Sequence, residues 1–436
     1  MNEHYAIFPK VVPIDKDVQI SISGVHDRTI IPEKEYNVRV QAMCNHYDST
    51  QYKVNSLSIK PKFEDSELSK GGTISFNHKF RTKGEHTIIV TRDDNSHLTT
   101  EQIYVVSQEL ADLKPYRGDL HIHTYYSDGS MSPIFMAIMA KKLGYDFAAI
   151  TDHRKYFPSL EAIEMAKKIN LDLLLFPGEE IDFGTAHIVS VCANASVVEA
   201  RGDEESYKKQ LRETVDNRLK DAIMVENLTK DQYAPAKWTI DKIHEFNGYA
   251  FLAHPYWVSG NRYDHHLPLF DQLLKDKEID GVEVIGGHWQ FQYESNMLAM
   301  VRYYQEVANG HKIPILGNSD THYNYKIGKD LFGWYWTTVF AKSLTKEDIF
   351  SAILNLKSVA CERPYGERFV ACGPYDLVEY TCFLDREFFP LHDRICSMMA
   401  DIYFDILADK DVEIDQLNKL RKNLDELYKL SWAGNN

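Results

Sequence analysis

The sequence predicts an α/β barrel that follows a small β-sandwich and precedes a helical extension. Residues 1–112 contain short β-prone runs separated by turn-forming residues, which is typical of a β-sandwich. Residues 113–375 alternate short apolar runs with helix-prone segments, as βα units do. Residues 376–436 return to a helical pattern. These observations divide the 436-residue chain into three predicted domains.

The composition is typical of a folded protein with a charged surface. Apolar residues make up 44% of the chain and charged residues 26%, which is enough to build a full core. The net charge of −15 disfavours general binding to nucleic acid or to an anionic membrane, but metals and arginines would still allow an anionic substrate. Because the first residues do not resemble a signal peptide and no apolar run could span a membrane, we expect a cytoplasmic protein.

The N-terminal region owes its β-sandwich prediction to regularly spaced runs in which β-branched residues alternate or cluster. Turn-forming segments such as residues 69–72 and 93–96 separate several of these runs. The predicted strands are Val18–Ile22, Tyr36–Val40, Val54–Ile59, Thr73–Phe76 and His86–Val90.

The central region owes its barrel prediction to seven nearly continuous apolar strands, which indicate a parallel sheet covered on both faces. Ligand-type residues repeatedly follow these strands, and a closed barrel therefore fits better than an open sheet. The predicted strands are Gly118–Ile122, Phe147–Ile150, Leu173–Phe176, Ile188–Val191, Tyr249–Leu252, Gly281–Ile285 and Ile313–Gly317. The predicted helices are Pro133–Leu143, Ser159–Ile169, Trp238–Phe246, Leu267–Lys275 and Tyr293–Ala308.

The C-terminal region contains a strongly amphipathic helix, predicted over Asp411–Leu430. Leucines recur along it at steps of three and four residues, which places them on one face. This pattern predicts a helix that packs within the chain or joins two copies in a homo-oligomer. The leucines are Leu417, Leu420, Leu424, Leu427 and Leu430.

Histidines and carboxylates at the ends of the predicted strands indicate a metal centre. His121 and His123 are two residues apart on one strand, so both side chains point to the same face. Imidazole with carboxylate and without thiolate suits Zn, Mn or Fe, and a carboxylate can bridge two cations. Nine donors exceed the needs of one four-coordinate ion and suit two or three metals. The candidates are His121, His123, Asp128, His153, Glu180, His187, His254, Asp320 and His322.

Five motifs in this order resemble the PHP (polymerase and histidinol phosphatase) metallohydrolases: Asp-Leu-His-Ile-His-Thr with Ser-Asp-Gly, Thr-Asp-His, Pro-Gly-x-Glu, His-Pro and Ser-Asp-Thr-His. The resemblance covers residues 116–375 and implies a distorted (β/α)7 barrel with a trinuclear centre. In the family the ligand lies two residues after the glycine of Pro-Gly-x-Glu, which selects Glu180 over Glu179. The resemblance implies that His121, His123 and Asp320 bind a first metal, that Glu180 bridges to a second bound by His187 and His254, and that Asp128, His153 and His322 bind a third.

The N-terminal β domain and the wording of residues 117–124 also resemble the CehA/McbA branch of these metallohydrolases. That branch is associated with the cleavage of esters and carbamates. The resemblance therefore implies that the same metal centre could act on carbon as well as on phosphorus.

Several residues near the predicted ligands are candidates for binding the substrate. Arg154 and Lys155 directly follow His153, and an arginine at that position could hold a phosphate through two hydrogen bonds. Tyr256 and Trp257 could form the wall of a pocket for an organic group. Arg262 lies on the same predicted loop.

Two residues are candidates for moving protons during hydrolysis. Asp320 is the ligand best suited to accept a proton from a bridging water, although the sequence alone does not single out one carboxylate. His288 follows the predicted strand Gly281–Ile285 and could bind the substrate or protonate a leaving group.

The sequence therefore predicts a hydrolase that uses two to three divalent metals, Zn, Mn or Fe, and a small-molecule substrate. The preferred reaction is attack of a metal-bound hydroxide on a small phosphate ester. The first alternative is hydrolysis of a carboxyl ester, carbamate or amide by the same centre. The second is a binding module on a degenerate barrel, which the intact set of candidate ligands argues against.

Overall fold

The computed structural model describes residues 5–25, 30–58, 68–184, 186–287, 293–323, 332–364 and 368–433. The chain divides into two compact units. The first unit contains Met1–Leu113, Glu379–Ile402 and Asp411–Asn436, and the second contains Lys114–Val378 and Tyr403–Lys410. Most of the C-terminal helical residues thus belong to the same unit as the N-terminal region, and the division into three domains stays a prediction.

The first unit contains two β-sheets. Strands β1, β3 and β6 form one sheet in the order β1-β3-β6, and the other has the order β2-β8-β7-β4-β5. The strands are β1 (Tyr5–Phe8), β2 (Val11–Pro13), β3 (Asp17–Val25), β4 (Glu35–Ala42), β5 (Ser49–Asn55), β6 (Leu68–Lys79), β7 (Gly84–Arg92) and β8 (His97–Val106). The sequence did not indicate β1, β2 or β8. The predicted strand Val54–Ile59 overlaps β5 only at its first two residues, because β5 ends at Asn55, and Ile59 lies outside the described residues.

Alternate residues of both sheets in the first unit form one hydrophobic core. Ile22 of β3 and Ile74 of β6 come from the smaller sheet, while Val38, Ile88 and Ile103 come from the larger one, and all five are buried. Strands β4 and β7 bury every second residue, because successive side chains point to opposite faces. Two sheets around a shared core are the arrangement of a β-sandwich.

The second unit contains two mixed sheets, of six and five strands. Their strand orders are β11-β10-β9-β19-β20-β21 and β12-β13-β14-β17-β18, and β15 pairs with β16 as a separate hairpin. The strands are β9 (Lys114–Ile122), β10 (Phe147–Ile150), β11 (Leu174–Phe176), β12 (Gly178–Ile181), β13 (Ile188–Val191), β14 (Tyr249–Leu252), β15 (Val258–Ser259), β16 (Arg262–Tyr263), β17 (Gly281–Ile285), β18 (Ile315–Gly317), β19 (Tyr335–Ala341), β20 (Ser358–Glu362) and β21 (Val370–Cys372).

Helices separate many of the strands in the second unit. The short helix α1 (Gln108–Ala111) belongs to the first unit and comes before these helices in the chain. The helices of the second unit up to the last strand-connecting one are α2 (Pro133–Lys142), α3 (Phe157–Lys168), α4 (Val197–Arg201), α5 (Glu204–Glu213) with a π-helical turn over Thr214–Arg218, α6 (Lys230–Glu245), α7 (Leu267–Asp276), α8 (Tyr293–Ala308) and α9 (Lys346–Leu354).

The prediction of a parallel sheet in the central region is only partly correct. Strands β9, β10 and β11 are parallel, as are β14, β17 and β18. Strand β13 is antiparallel to both β12 and β14, and β19 is antiparallel to β9. Only residues 182–187 connect β12 to β13, and a parallel connection needs a crossover of about a dozen residues or more. The unit is therefore a mixed α/β structure, and the closed seven-stranded barrel stays a prediction.

Both sheets of the second unit share a core and meet near the ends of their strands. Leu120 and Phe147 of the first sheet and Val189 and Phe251 of the second belong to one buried cluster. Two isolated backbone bridges also join the sheets. They pair Ile122 with Thr321 and His153 with Glu180. Residues that follow the strands are thereby brought together.

Three helices follow the last strand: α10 (Tyr375–Glu387), α11 (Phe389–Leu407) and α12 (Ile414–Ser431). Leu417, Leu420, Leu424 and Leu427 are buried on one face of α12, whereas Leu430 is half-buried. The leucine face is thus covered within the chain, and association with a second copy stays a prediction. Among the described residues, no helix combines the length and apolar character that crossing a membrane requires.

Leu120 offers a test of the shared core in the second unit. We expect Leu120→Ala to lower the free energy of unfolding by about 2–5 kcal/mol, because Leu120 is fully buried and its truncation leaves a cavity. Urea unfolding followed by circular dichroism measures the change. Leu160→Ala is the matched control, since that leucine is exposed on α3 and should cost far less. Equal losses in the two variants would contradict this account of the core.

Candidate metal centre

The candidate metal centre lies where the two sheets of the second unit are bridged. His121 is the penultimate residue of β9, and Glu180 lies in β12. His187 directly precedes β13, and His254 follows β14 by two residues. Asp320 comes three residues after β18. All nine predicted ligands occur in groups whose candidate donor atoms lie within 4.8 Å of one another.

The first group is buried and consists of His121, His123, Glu180 and Asp320. Nε2 of His121 lies 3.3 Å from Oε2 of Glu180 and 3.3 Å from Oδ1 of Asp320. Nε2 of His123 lies 3.3 Å and 2.9 Å from the same two oxygens. Two imidazole nitrogens and two carboxylate oxygens thus surround one small space.

The second group consists of His123, Asp128, His153 and His322. Oδ2 of Asp128 lies 3.0 Å from Nε2 of His322 and 3.8 Å from Nε2 of His153. Oδ1 of Asp128 lies 3.6 Å from Nδ1 of His123. These contacts bring together the three residues expected to bind a third metal and place His123 beside them.

Two further groups share His187. His153, Glu180 and His187 form one, with Oε2 of Glu180 2.9 Å from Nδ1 of His153 and Oε1 2.8 Å from Nδ1 of His187. His187, His254 and Asp264 form the other. Nε2 of His254 lies 3.7 Å from Oε1 of Glu180. Glu180 therefore faces ligands from all three predicted positions, as a bridging carboxylate would.

The neighbouring carboxylate, Glu179, points away from the histidines. It accepts hydrogen bonds from the hydroxyl of Ser196 and the backbone N–H of Val197, at 2.9 and 2.6 Å. Burial raises its pKa to about 7. Because side chains alternate along β12, only one of two successive glutamates can face the centre, and that residue is Glu180.

Opposite charges inside the cluster shift the pKa values of its members. Burial opposes the charged form of His123, yet contact with the carboxylates of Asp320 and Glu180 raises its pKa to about 10. Burial also opposes the charge of His187, but Glu180 raises its pKa to about 9. Although burial disfavours ionised Glu180, His121 and His187 hold its pKa well below the usual value. Metal binding would therefore release protons from the imidazoles.

Several donor atoms lack a hydrogen-bond partner of good geometry among the described residues, and a divalent metal would satisfy them. Nε2 of His121, Nε2 of His123, Nδ1 of His153 and Oε2 of Glu180 are buried without a hydrogen bond of good geometry. Buried polar atoms normally have partners, and groups left without one are costly. A cation among these lone pairs would satisfy them together.

A layer of hydrogen-bonding residues surrounds the donors, and sequence analysis did not identify it. Nδ1 of His121 donates to Oε1 of Glu283 at 3.0 Å. Glu283 also accepts from Nδ2 of Asn318 and from the backbone N–H of His254, at 2.8 and 3.2 Å. A glutamate inside the buried, apolar strand β17 is the signal that could have revealed this role.

Asp320, a predicted ligand, and Arg154, which directly follows one, have unusual backbone conformations. Arg154 and Asp320 adopt φ values of 54° and 50°, in the left-handed region that residues other than glycine rarely occupy. Arg154 is held there by a backbone hydrogen bond from its N–H to the carbonyl of Glu180, at 2.8 Å. Such strain is often found at functional sites.

The candidates for substrate binding lie in two places. Arg154 is exposed and pairs with Asp182, while the ammonium of Lys155 contacts the carbonyl of Tyr126. A cavity of about 500 Å³ lies beside Arg154. Its other lining residues include Asp182, Phe183, Arg201 and Tyr207.

The second place is the segment after His254. The ring of Trp257 lies 4.5 Å from that of His254, whereas Tyr256 packs against Tyr263 and Phe270. Arg262 is exposed in β16, and no described contact joins it to the predicted ligands. His288 lies outside the described residues, so its assignment stays a prediction.

Glu283 provides a test of the outer layer. We expect Glu283→Ala to weaken binding of one zinc ion about 10- to 100-fold, because His121 loses the carboxylate that orients it. Competition with a chromogenic chelator measures the dissociation constants. Glu179→Ala is the control, since this buried carboxylate points away from the histidines. Wild-type affinity in Glu283→Ala would contradict the orienting role.

Comparisons with known proteins find a family match in the part of the chain that contains most of the candidate ligands. The model of the PHP domain matches residues 119–251. The DNA polymerase/3'-5' exonuclease PolX of Bacillus subtilis (strain 168) is 37% identical over 81 residues, which are 19% of this chain and 13% of that protein. An uncharacterised protein of Methanocaldococcus jannaschii is 25% identical over 183 residues, covering 39% of this chain and 82% of its own length. The chain thus spans about an eighth of the polymerase.

Two solved structures are also similar. A two-domain protein of Bacteroides vulgatus, which contains a predicted PHP-like metal-dependent phosphoesterase, has a TM-score of 0.43 at 20% identity; the similarity covers 63% of this chain and 71% of that one. An amidohydrolase from Chromobacterium violaceum, with bound sulfate and no metal, has a TM-score of 0.31 at 18% identity and covers 47% and 87%. Residues 119–251, which the PHP-domain model matches, contain six of the nine candidate ligands.

Proposed function

We propose that the protein is a metal-dependent hydrolase and that its substrate is a small phosphate ester. The grouping of nine residues with nitrogen and oxygen donors, buried Glu180 among them, supports this proposal above all. The match of residues 119–251 to the PHP domain supports it independently of the geometry. We further propose that two to three ions of Zn, Mn or Fe occupy the centre, because imidazole with carboxylate suits these metals.

The contacts among the candidate ligands indicate which residues would bind each metal. His121, His123 and Asp320 would hold one ion, and Glu180 would link it to a second beside His187. Bound divalent metals would lower the pKa of a water molecule and neutralise charge on the oxygens of a phosphate. The outer layer would keep the imidazoles oriented while substrate binds.

Asp320 is the proposed proton acceptor. Burial opposes its ionisation, but the charge of His121 and the close contact with Nε2 of His123 hold its pKa well below the usual value. The side chain is therefore a carboxylate and can accept a proton from a water molecule. Its left-handed backbone is compatible with a position fixed by the surrounding structure.

Arg154 is the proposed contact for an anionic substrate. It directly follows His153, and its backbone N–H binds the carbonyl of Glu180, so it lies next to the centre. Its side chain is 55% exposed, and the guanidinium could exchange Asp182 for a phosphate oxygen. The cavity beside Arg154 would then accommodate part of the leaving group.

Hydrolysis at carbon is the second candidate function. The aromatic ring of Trp257 beside His254 favours it, because an apolar wall suits an uncharged ester, carbamate or amide. The resemblance to the CehA/McbA branch also favours hydrolysis of carboxyl esters and carbamates. The same donors would serve either reaction, since both require a water molecule of lowered pKa.

Metal removal and one ligand substitution test the hydrolase proposal. We expect a chelator to abolish hydrolysis of an aryl phosphate and His121→Ala to slow it by about 100-fold or more, because a Lewis-acid site contributes several kcal/mol. His46→Ala is the control, since that histidine is exposed in the first unit. Elemental analysis should find two to three equivalents of metal.

The other outcomes of this experiment separate the candidates. Chelator-sensitive cleavage of an aryl ester without phosphate release would favour the second function. A protein that binds no metal, even after reconstitution, would overturn both enzyme proposals and favour a binding module.

Arg154 tests the choice between phosphorus and carbon. We expect Arg154→Ala to raise KM for the aryl phosphate about tenfold or more, because a charge-assisted hydrogen bond is lost, and to leave KM for an uncharged aryl ester nearly unchanged. Arg218→Ala is the control, since Arg218 makes a comparable two-point pair with Asp241. An equal rise in KM for both substrates would count against phosphate recognition by Arg154.

A further inference from the structure

The imidazole of His187 lies between two carboxylates. Its Nδ1 is 2.8 Å from Oε1 of Glu180, on the side of the candidate metal centre. Its Nε2 is 3.5 Å from Oδ2 of Asp264, on the opposite side of the ring. One nitrogen can therefore face a metal while the other faces a carboxylate that none of the sequence motifs includes.

Asp264 is held in place by the hairpin that follows His254. Its backbone N–H donates to the carbonyl of Trp257 at 2.7 Å, and the N–H of Trp257 donates to the carbonyl of His254 at 3.1 Å. Between Trp257 and Asp264, strands β15 and β16 pair as a hairpin. The position of Asp264 is thus tied through two hydrogen bonds to a predicted ligand of the second metal.

The next residue, His265, fixes the backbone of His187. It is buried, and its Nε2 accepts a hydrogen bond from the N–H of His187 at 3.3 Å. A ring nitrogen that accepts carries no hydrogen, so the proton of neutral His265 is on Nδ1. The ring of His265 also lies 5.4 Å from that of His254. Asp264 and His265 therefore contact the same histidine from the same segment.

We propose that Asp264 is a positioning residue for the second metal: its carboxylate accepts a hydrogen bond from Nε2–H of His187 and directs Nδ1 toward the ion held with Glu180 and His254. The proposal rests on the proposed metal centre. A ligand histidine usually donates its second ring N–H to an oxygen, which selects the tautomer and orients the ring. Glu283 has the same relation to His121, at 3.0 Å.

The proposal also connects the metal centre to the candidate substrate segment. Tyr256 and Trp257 precede the hairpin, and Arg262 lies on its second strand. The backbone N–H of Asp264 donates to the carbonyl of Trp257. A shift of the hairpin would therefore also move Asp264 relative to His187. Because the side chain of Asp264 is 29% exposed, solvent weakens its proposed hydrogen bond to His187. We therefore expect its loss to lower metal affinity by an amount near the lower end of the range for residues that orient metal ligands.

Two substitutions of Asp264 in the full chain test this role. We expect Asp264→Ala to weaken binding of one Co²⁺ ion about tenfold and to change the binding of the other ions much less. Asp264→Asn should restore most of the affinity, because the amide oxygen can accept the same hydrogen bond. The visible spectrum of Co²⁺ should stay the same in Asp264→Asn, since the ligands themselves are unchanged. Calorimetric titration measures the affinities, and circular dichroism verifies folding.

Asp280→Asn is the matched control, because Asp280 pairs with Nε2 of His244 at 2.8 Å, and neither residue is a predicted ligand. It should leave all Co²⁺ affinities unchanged. Wild-type affinities in Asp264→Ala would overturn the proposal. Equal losses in both variants of Asp264, with an altered Co²⁺ spectrum, would overturn it in favour of direct coordination by Asp264.

These measurements also separate this inference from the proposed hydrolase function. If the wild-type protein binds Co²⁺ and the substitutions act as expected, positioning by Asp264 is supported even when no test ester is cleaved. If the wild-type protein hydrolyses a test ester and Asp264→Ala binds Co²⁺ normally, the positioning role fails while the proposed function stands. A wild-type protein that binds no Co²⁺ would overturn both.

Discussion

The buried carboxylate of Glu180 is the constraint on which the candidate centre depends. A buried charge without partners is very costly, so the fold must surround it with opposite charge or with a cation. Four imidazoles, those of His121, His123, His153 and His187, lie between 2.8 and 3.3 Å from its oxygens. His121 lies in β9, and the other three follow or precede strands of the two sheets in the second unit. When the two sheets pack together, these imidazoles are therefore brought around the carboxylate of Glu180.

Outer carboxylates hold the loops that carry the donors. Asp152 accepts hydrogen bonds from the backbone N–H groups of Thr124 and Ser127, at 2.8 and 3.1 Å. These bonds fix the segment between His123 and Asp128, which must turn so that both side chains reach the same group. The geometry of the donors is thus determined one layer further out, as it is in preorganised metal sites.

Sequence reasoning identified the donors better than it identified the sheets or the outer layer. The His-x-His spacing, the polar residues after apolar runs and the family resemblance together selected nine side chains that the structure brings together in groups. That these side chains bind metal stays a prediction. The direction of β13 was not predictable from its apolar run, because fully buried strands show similar patterns in either orientation. The contacts of Glu283 and Asp264 join residues far apart in sequence, so only the tertiary structure reveals them.

The three hydrogen bonds of Glu283 imply that the proposed metal positions would not be independent. One carboxylate contacts His121, Asn318 and the backbone of His254, which belong to the ends of three different strands. An ion that pulls on His121 would shift Glu283, and Glu283 would pass part of that shift to His254. Filling of one position would then change the affinity of the next, and thermodynamic linkage makes this influence mutual. The centre would load its ions as a coupled set.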